Sequence, residues 1–282
     1  MQMIDLHIHS AASDGTDDPA ALPALARSAG LSAIALTDHD TVSGVAAAQQ
    51  AGEELGMEVV AGIELSTDYL QNNIHILGYF IDPSSPALAA HNARMVAERN
   101  TRNEAVTRKL QAAGYDISYE ELCESFPGAV LGRPHIAEML MRRGYVHSVK
   151  EAFDRFIGVK CPFYLPTHRV SVAQATELIR AAGGIPVLAH PYEYGYTGEA
   201  FTAFIDTAAQ AGIRHLEAYY SMHSPEQEAA LLTLARERGF GVTGGSDYHG
   251  RRKPSLSIGC GRGGLCVPYD VLEQLHRAKD EQ

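Results

Sequence analysis

The sequence predicts an α/β protein built as a (β/α) barrel of about seven strands, interrupted by a helical insertion. Three observations carry that expectation. Short apolar runs alternate with helix-like segments ending in glycine, both early and late in the chain. The middle of the chain has helical periodicity and no strand-like run. Many of the thirteen histidines sit at the ends of apolar runs instead of on polar stretches.

The first element is "IDLHIHS", where Ile4, Leu6 and Ile8 alternate with Asp5, His7 and His9, the period of a strand with two unlike faces. His7 and His9 then point the same way. In "DPAALPALARSAG" Asp18 can cap a helix, Pro19 suits its first turn and Gly30 stops it. "SAIALTDHD", a second helix ending near Gly56, and "MEVVAGIELS" continue the strand–helix–strand alternation. "NIHILGYFI" follows closely after Asn72 and Asn73, so it is expected to fold back as a hairpin.

From residue 83 to 165 the texture is helical, with one long amphipathic helix between Leu88 and Gly114 and shorter ones after it. This segment is expected to be an insertion capping the active site, with the barrel formed by residues 1–82 and 166–282. The alternation then resumes through "IPVLAHP", "HLEAYYS" and "FGVTGGSDYHG", each preceded by a helix ending in glycine.

Composition narrows the function. A hydrophobic content of 45% supports a sizeable core, and a net charge of −11 disfavours duplex DNA and membrane surfaces as partners. Cys123, Cys161, Cys260 and Cys266 form no C-x-x-C pair, which suits a reduced compartment and argues against a zinc ribbon. With no leader-like or spanning segment evident, a cytoplasmic location is expected, and no obligate protein partner is evident.

The strand ends carry His7, His9, Asp38, His39, Asp40, Glu64, His190, Glu217, Asp247 and His249. In parallel barrels these ends share one face, where active sites are built. Imidazoles and carboxylates converging there are satisfied by divalent cations and costly without them. His75 joins the set if its hairpin places it beside Glu64. Asp14 in "SDGT" is a turn residue by itself and a plausible ligand with His39 and His249 nearby. No thiolate favours zinc alone, so Mn²⁺ is expected, with Fe²⁺ or Zn²⁺ as options. Asp38 and Asp40 are expected to orient histidines and fix their tautomers, and Glu217 to be structural or supporting.

The ordered set "DLHIHS…SDGT", "LTDHD", "GIELS", "HILGYF", "AHP" and "GSDYH" resembles the polymerase and histidinol phosphatase (PHP) superfamily. That resemblance implies a distorted (β/α)7 barrel hydrolysing phosphoesters with two or three divalent metals. It implies one metal on His7, His9, Glu64 and Asp247, a second on Glu64, His75 and His190, and a third on Asp14, His39 and His249. A bridging hydroxide held through Glu64 and Asp247 would attack phosphorus in line. "LGRPH" and "YYSMHSPEQ" resemble the branch of 3′,5′-nucleoside bisphosphate phosphatases and small-RNA 5′-exoribonucleases. The expected reaction is removal of the 3′-phosphate from a nucleoside 3′,5′-bisphosphate, extending to release of 5′-nucleotides from short RNA. The substrate is then a small nucleotide or short oligoribonucleotide.

Positive groups are scarce, so Arg133 and His135 in "LGRPH", and His223 after the sixth strand, are expected to bind substrate. Arg251, Arg252 and Lys253 read as a solvated cluster, and His91, His147, His168, His215 and His276 as surface. Two rival activities share parts of this pattern. An amidohydrolase would commonly need a lysine bridge, yet none of the five lysines ends a barrel strand. Histidinol-phosphate phosphatase is disfavoured by the "LGRPH" insertion.

Overall fold

The computed structural model describes residues 2–282. Strand β1 (Met3–Ile8) leads through a turn, where the Asp18 side chain accepts from the Ala20 N–H, into α1 (Leu22–Ser28). β2 (Leu31–Leu36), α2 (Val45–Leu55) and β3 (Glu58–Tyr69) follow, with α2 ended by Gly56 at φ 65°. β4 (Asn72–Tyr79) pairs antiparallel with β3, Ser66 opposite His75, which is the expected hairpin.

Helices α3 (Pro86–Ala112), α4 (Tyr119–Ser125), α5 (Arg133–Arg142) and α6 (Val149–Ala152) come next, without a strand between them among the described residues. They close on a core of their own, including Leu110, Leu122, Ile136, Leu140 and Phe156. The segment meets the barrel where the Val130 N–H donates to Ala12 O at 2.9 Å and Arg252 Nε to Glu138 Oε2 at 2.8 Å.

The second half runs β5 (Val170–Ser171), α7 (Val172–Ala181), β6 (Ile185–Leu188), α8 (Gly198–Gln210), β7 (His215–Tyr220), α9 (Pro225–Arg238), β8 (Gly241–Gly245), β9 (Val267–Pro268) and α10 (Asp270–Asp280). Capping boxes at Ser171/Gln174 and Ser224/Gln227 start α7 and α9.

The strand order is β8-β7-β6-β4-β3-β2-β1-β9, with β5 short against β3. Seven strands, β1–β4 and β6–β8, make the barrel, with β4 antiparallel to both its neighbours and so distorting it. The ring closes at the carboxyl ends of β1 and β8, where Asp247 N–H donates to His7 O at 2.8 Å and His9 N–H to Tyr248 O at 2.9 Å. Gly245 permits this approach, since a Cβ there would lie 2.3 Å from His7 N. Ile4, Leu6, Val60, Leu77 and Val187 fill the interior, with Leu272 and Leu275 of α10 packed beneath. Outside, Ile8, Ile34 and Leu36 pack under α1 and α2, and Ile63, Ile76 and Ile179 belong to the layer with α7 and α8. The α/β barrel with inserted helices is the class expected from the sequence. β1 departs from the two-faced strand its alternation suggests, because Asp5, His7 and His9 are as buried as the isoleucines. A barrel strand has no solvent face, so each of these polar groups needs a partner inside.

Candidate metal centre

Asp5 finds its partners in the last third of the chain, accepting from Ser246 N–H at 2.8 Å, Ser246 Oγ at 2.5 Å and Gly259 N–H at 2.7 Å. His7 and His9 find theirs at the barrel mouth. Their ring centroids lie 5.2 Å apart, and both face Glu64.

Glu64 organises the centre by dividing its two oxygens. Oε1 faces His75 Nδ1 at 2.8 Å and His190 Nε2 at 3.1 Å. Oε2 faces His9 Nε2 at 3.2 Å, His39 Nδ1 at 3.1 Å and His7 Nε2 at 3.4 Å. Asp247 Oδ1 lies 3.4 Å from His9 Nε2 and 3.3 Å from His249 Nδ1. Asp14 Oδ1 lies 3.2 Å from His249 Nε2. Four groups result whose ligand atoms fall within 4.8 Å of one another: His9, Asp14, His39 and His249; His7, Glu64 and His190; His7, His9 and Asp247; and His39, Glu64 and His75. All nine ligands expected from the sequence fall into these groups. His9, His7, His39 and Glu64 each belong to two of them.

The donor set fits divalent ions. Two atoms each about 2.1 Å from a shared ion stand roughly 3.0–3.4 Å apart, the range in which most of these pairs fall. Buried His7 Nε2, His9 Nδ1 and Nε2, His39 Nδ1 and His190 Nδ1 have no hydrogen-bond partner among the described residues, and buried polar atoms are rarely left so. His190 (φ 28°) and Asp247 (φ 55°) also hold left-handed backbone conformations. Non-glycine residues accept such conformations at a cost of about 1–3 kcal/mol where the surroundings demand them.

Electrostatics follow from the same crowding. Burial opposes ionisation of Glu64, yet His39, His75 and His7 hold its carboxyl well below the usual range. Burial also opposes charge on His9, but Asp247 and Glu64 raise it to about 9. For His39 burial prevails, bringing it down to about 3.

Supporting contacts differ from those expected. Asp38 accepts from Ser10 N–H at 2.8 Å, Ser10 Oγ at 2.6 Å and Ser13 Oγ at 2.5 Å, so it fixes the loop carrying Asp14 and not a histidine. Asp40 accepts from Ser66 N–H at 2.9 Å and pairs with Arg99 of α3. The histidine-orienting carboxylate is Glu217, whose Oε1 lies 2.8 Å from His7 Nδ1. Nor is "RRK" solvated as a whole: Arg252 is bonded to Glu138 and Gly15 O, and Lys253 Nζ lies 2.5 Å from Asp247 Oδ2. His91, expected at the surface, is buried in α3.

A PHP domain model matches residues 5–158. The chain belongs to the PHP domain family. It is 33% identical to a 5′-3′ exoribonuclease of Haemophilus influenzae, over 87% of this chain and 89% of that one. It is 30% identical to a 3′,5′-nucleoside bisphosphate phosphatase of Chromobacterium violaceum, over 92% and 91% of the two chains. A solved Bifidobacterium adolescentis structure, assigned as a metal-dependent phosphoesterase, superposes with a TM-score of 0.87 at 30% identity, covering 97% of this chain and 95% of the other. The protein is therefore a PHP-type phosphoesterase, a hydrolase, with clusters suited to divalent metals. No helix among the described residues is long and apolar enough to cross a membrane.

Beside the PHP centre lies a cavity of about 160 Å³. Asp14, His39 and His75 line one side, and Arg99, Arg102, Arg133 and Arg169 the other. Burial, then Arg99, Arg133 and Arg169 around it, lowers the pKa of Arg102, whose Nε has no partner among the described residues. Arg133 lies over the Phe153 and Tyr164 rings. Only Arg133 of this set was anticipated. The signal for Arg99 and Arg102 was their three-residue spacing, which puts both on one face of α3. His135 does not line the cavity: its Nδ1 accepts from its own helix's Gly132 N–H at 2.9 Å, and burial lowers it to about 4. His223 lies 3.0 Å from Ala218 O through Nδ1, its ring edge-on to Tyr192 and Tyr220.

Proposed function

We propose that this protein removes the 3′-phosphate from nucleoside 3′,5′-bisphosphates, such as adenosine 3′,5′-bisphosphate, giving the 5′-nucleotide and inorganic phosphate. The observation that carries this reading is the arginine cavity. Its volume, about 160 Å³, is below the roughly 300–1,000 Å³ of pockets enclosing whole ligands, and its donors suit one phosphate group. A second phosphate must be held apart from the reacting one, and these guanidinium groups line the same cavity as Asp14, His39 and His75 of the centre. The names of the Haemophilus influenzae and Chromobacterium violaceum relatives fit such a substrate.

In this reading His7, His9, Glu64 and Asp247 hold one ion, Glu64, His75 and His190 a second, and Asp14, His39 and His249 a third, with Mn²⁺ the metal. Bound there, such ions supply electrostatic stabilisation of the reacting phosphoryl group and a lowered pKa for attacking water. Glu217 accepts a hydrogen bond from His7 Nδ1–H and so leaves Nε2 turned to the centre. Arg102, Arg133 and Arg169 bind the 5′-phosphate. Asp40 anchors Arg99, and with it the helical segment as a cap over the barrel mouth. Lys253, against Asp247, supplies a positive charge for the reacting phosphate. Lys253 is an ion-pair partner of Asp247 and not a bridge between ligand groups, which favours phosphoester over amide hydrolysis.

Phosphate release from a panel tests this with Mn²⁺-loaded protein: adenosine 3′,5′-bisphosphate, 3′-AMP, histidinol phosphate and N-acyl amides. The bisphosphate should have the highest kcat/KM. Preference for histidinol phosphate, or turnover of amides alone, would overturn the reading.

A further inference from the structure

A second cavity, about 520 Å³, opens on the other side of the centre. It reaches Asp247, Tyr220 and Lys253, and shares no lining residue with the arginine cavity. Tyr220 donates to Asp247 Oδ2 at 2.8 Å, so the cavity floor is the outer edge of a candidate metal ligand. Its walls include Met141, Val149, Met222 and Leu256, and its rim includes Arg251 and Arg262. Neither of those two arginine side chains has a hydrogen bond or ion pair among the described residues. They form an unpaired cationic edge in a chain of net charge −11.

The arginine cavity meets the centre at Asp14, His39 and His75 and the second cavity meets it at Asp247, so a phosphoryl group at the centre would adjoin both. The nucleotide attached through its 3′-oxygen extends toward the arginines, which take the 5′-phosphate. A bisphosphate would leave the second cavity vacant. A phosphodiester would not, because its phosphorus bears another nucleoside through O5′. Flexible methionine and aliphatic walls suit a nucleoside, and unpaired arginines suit the phosphate beyond it.

We propose that the second cavity is the subsite for the nucleoside esterified to the reacting phosphate, with Met222 and Leu256 against that nucleoside and Arg251 and Arg262 at the next phosphate. The proposal rests on the bisphosphatase reading and extends it to 5′-phosphorylated oligoribonucleotides. The bonds exchanged are the same in both substrates. Water oxygen joins phosphorus, the P–O3′ bond breaks, and the released 3′-oxygen takes a proton. From a bisphosphate the phosphorus leaves as inorganic phosphate. From an oligonucleotide it stays on O5′ of the remainder, which now carries the 5′-phosphate that the arginine cavity recognises. Each cleavage therefore prepares the next substrate.

The test compares pAp, pApA and pApApA with Mn²⁺-loaded full-length protein, reading AMP release. Wild-type protein should cleave all three. Met222→Trp, which fills the cavity from a half-exposed position, should lower the kcat/KM ratio of pApA to pAp at least tenfold. Arg262→Ala, at an exposed site, should lower the ratio of pApApA to pApA several-fold. Cleavage of pAp with pApA left intact would overturn this inference and leave the bisphosphatase reading standing. Cleavage of all three with both ratios unmoved would overturn the placement of the subsite. Failure on pAp and pApA alike, with an unrelated phosphomonoester hydrolysed, would remove the bisphosphatase reading and this inference with it.

Discussion

Glu217 and His7 meet at 2.8 Å through Oε1 and Nδ1, while the other carboxylate oxygen accepts the His190 backbone N–H at 2.8 Å. One carboxylate from β7 thus sets the ring of a β1 histidine and the strained turn of the histidine that follows β6. Glu217→Gln keeps the shape and removes the charge. It should weaken Mn²⁺ binding by roughly 10–100-fold, as loss of a ligand-orienting group does. Calorimetric titration of metal into the variant checks this; unchanged affinity would leave Glu217 a purely structural residue.

Glu64 has no substitute. Glu64→Gln should lose metal and activity together, because both oxygens serve histidine groups and the amide brings no charge. Elemental analysis of protein grown with manganese should find more than one ion per chain in the parent and fewer in the variant. One ion or none in active parent enzyme would contradict the clustered arrangement.

Metal removal should lower thermal stability. An ion at a hundred times its Kd stabilises the native state by about 2.7 kcal/mol, or roughly 5–10 °C for a domain of this size. Melting curves with Mn²⁺ and with chelator measure the shift. Coincident curves would mean that the native centre holds no ion.

Lys253→Met should split binding from turnover. Removing the ammonium beside Asp247 makes the centre more negative, so Mn²⁺ should bind as tightly or tighter. The charge available to phosphate is lost, so kcat/KM on bisphosphate should fall about tenfold, in the range for one charge-assisted contact. A parallel loss of metal affinity would show that Lys253 only maintains the fold.

Arg102→Ala and Arg133→Ala should each lower kcat/KM on a bisphosphate by about ten- to a hundredfold, equivalent to roughly 1.5–3 kcal/mol for one charged contact. A nucleoside 3′-phosphate lacks the second group and should be much less affected. Equal losses on both substrates would remove the arginine cavity from substrate recognition.

The barrel was legible because its signals are local. Alternation in "IDLHIHS", glycine stops such as Gly56, and the Asn72–Asn73 turn each act within a few residues. Most of the histidines and carboxylates of the centre were legible because parallel strands bring their carboxyl ends to one face whatever lies between them, and His75 because the hairpin sets it beside β3. What escaped depends on how the insertion folds over that face. Arg99, Arg102 and Arg169 have no shared motif, and only the packing of α3 and the loop before β5 brings them together. The burial of Arg252 needs the Phe126 ring and Glu138 from the insertion. Asp38 and Asp40, adjacent to a candidate ligand, suggested work on histidines. The backbone instead turns them to the Ser10–Ser13 loop and to Arg99.

Asp5 accepts from Ser246 and Gly259 across 241 and 254 positions of the chain. Contacts of such separation must meet the entropy of closing a long loop before they return any energy, so they slow folding. The carboxylate buried in β1 therefore has no partner until the first strand and the last third of the chain meet, and the barrel closes as one cooperative event.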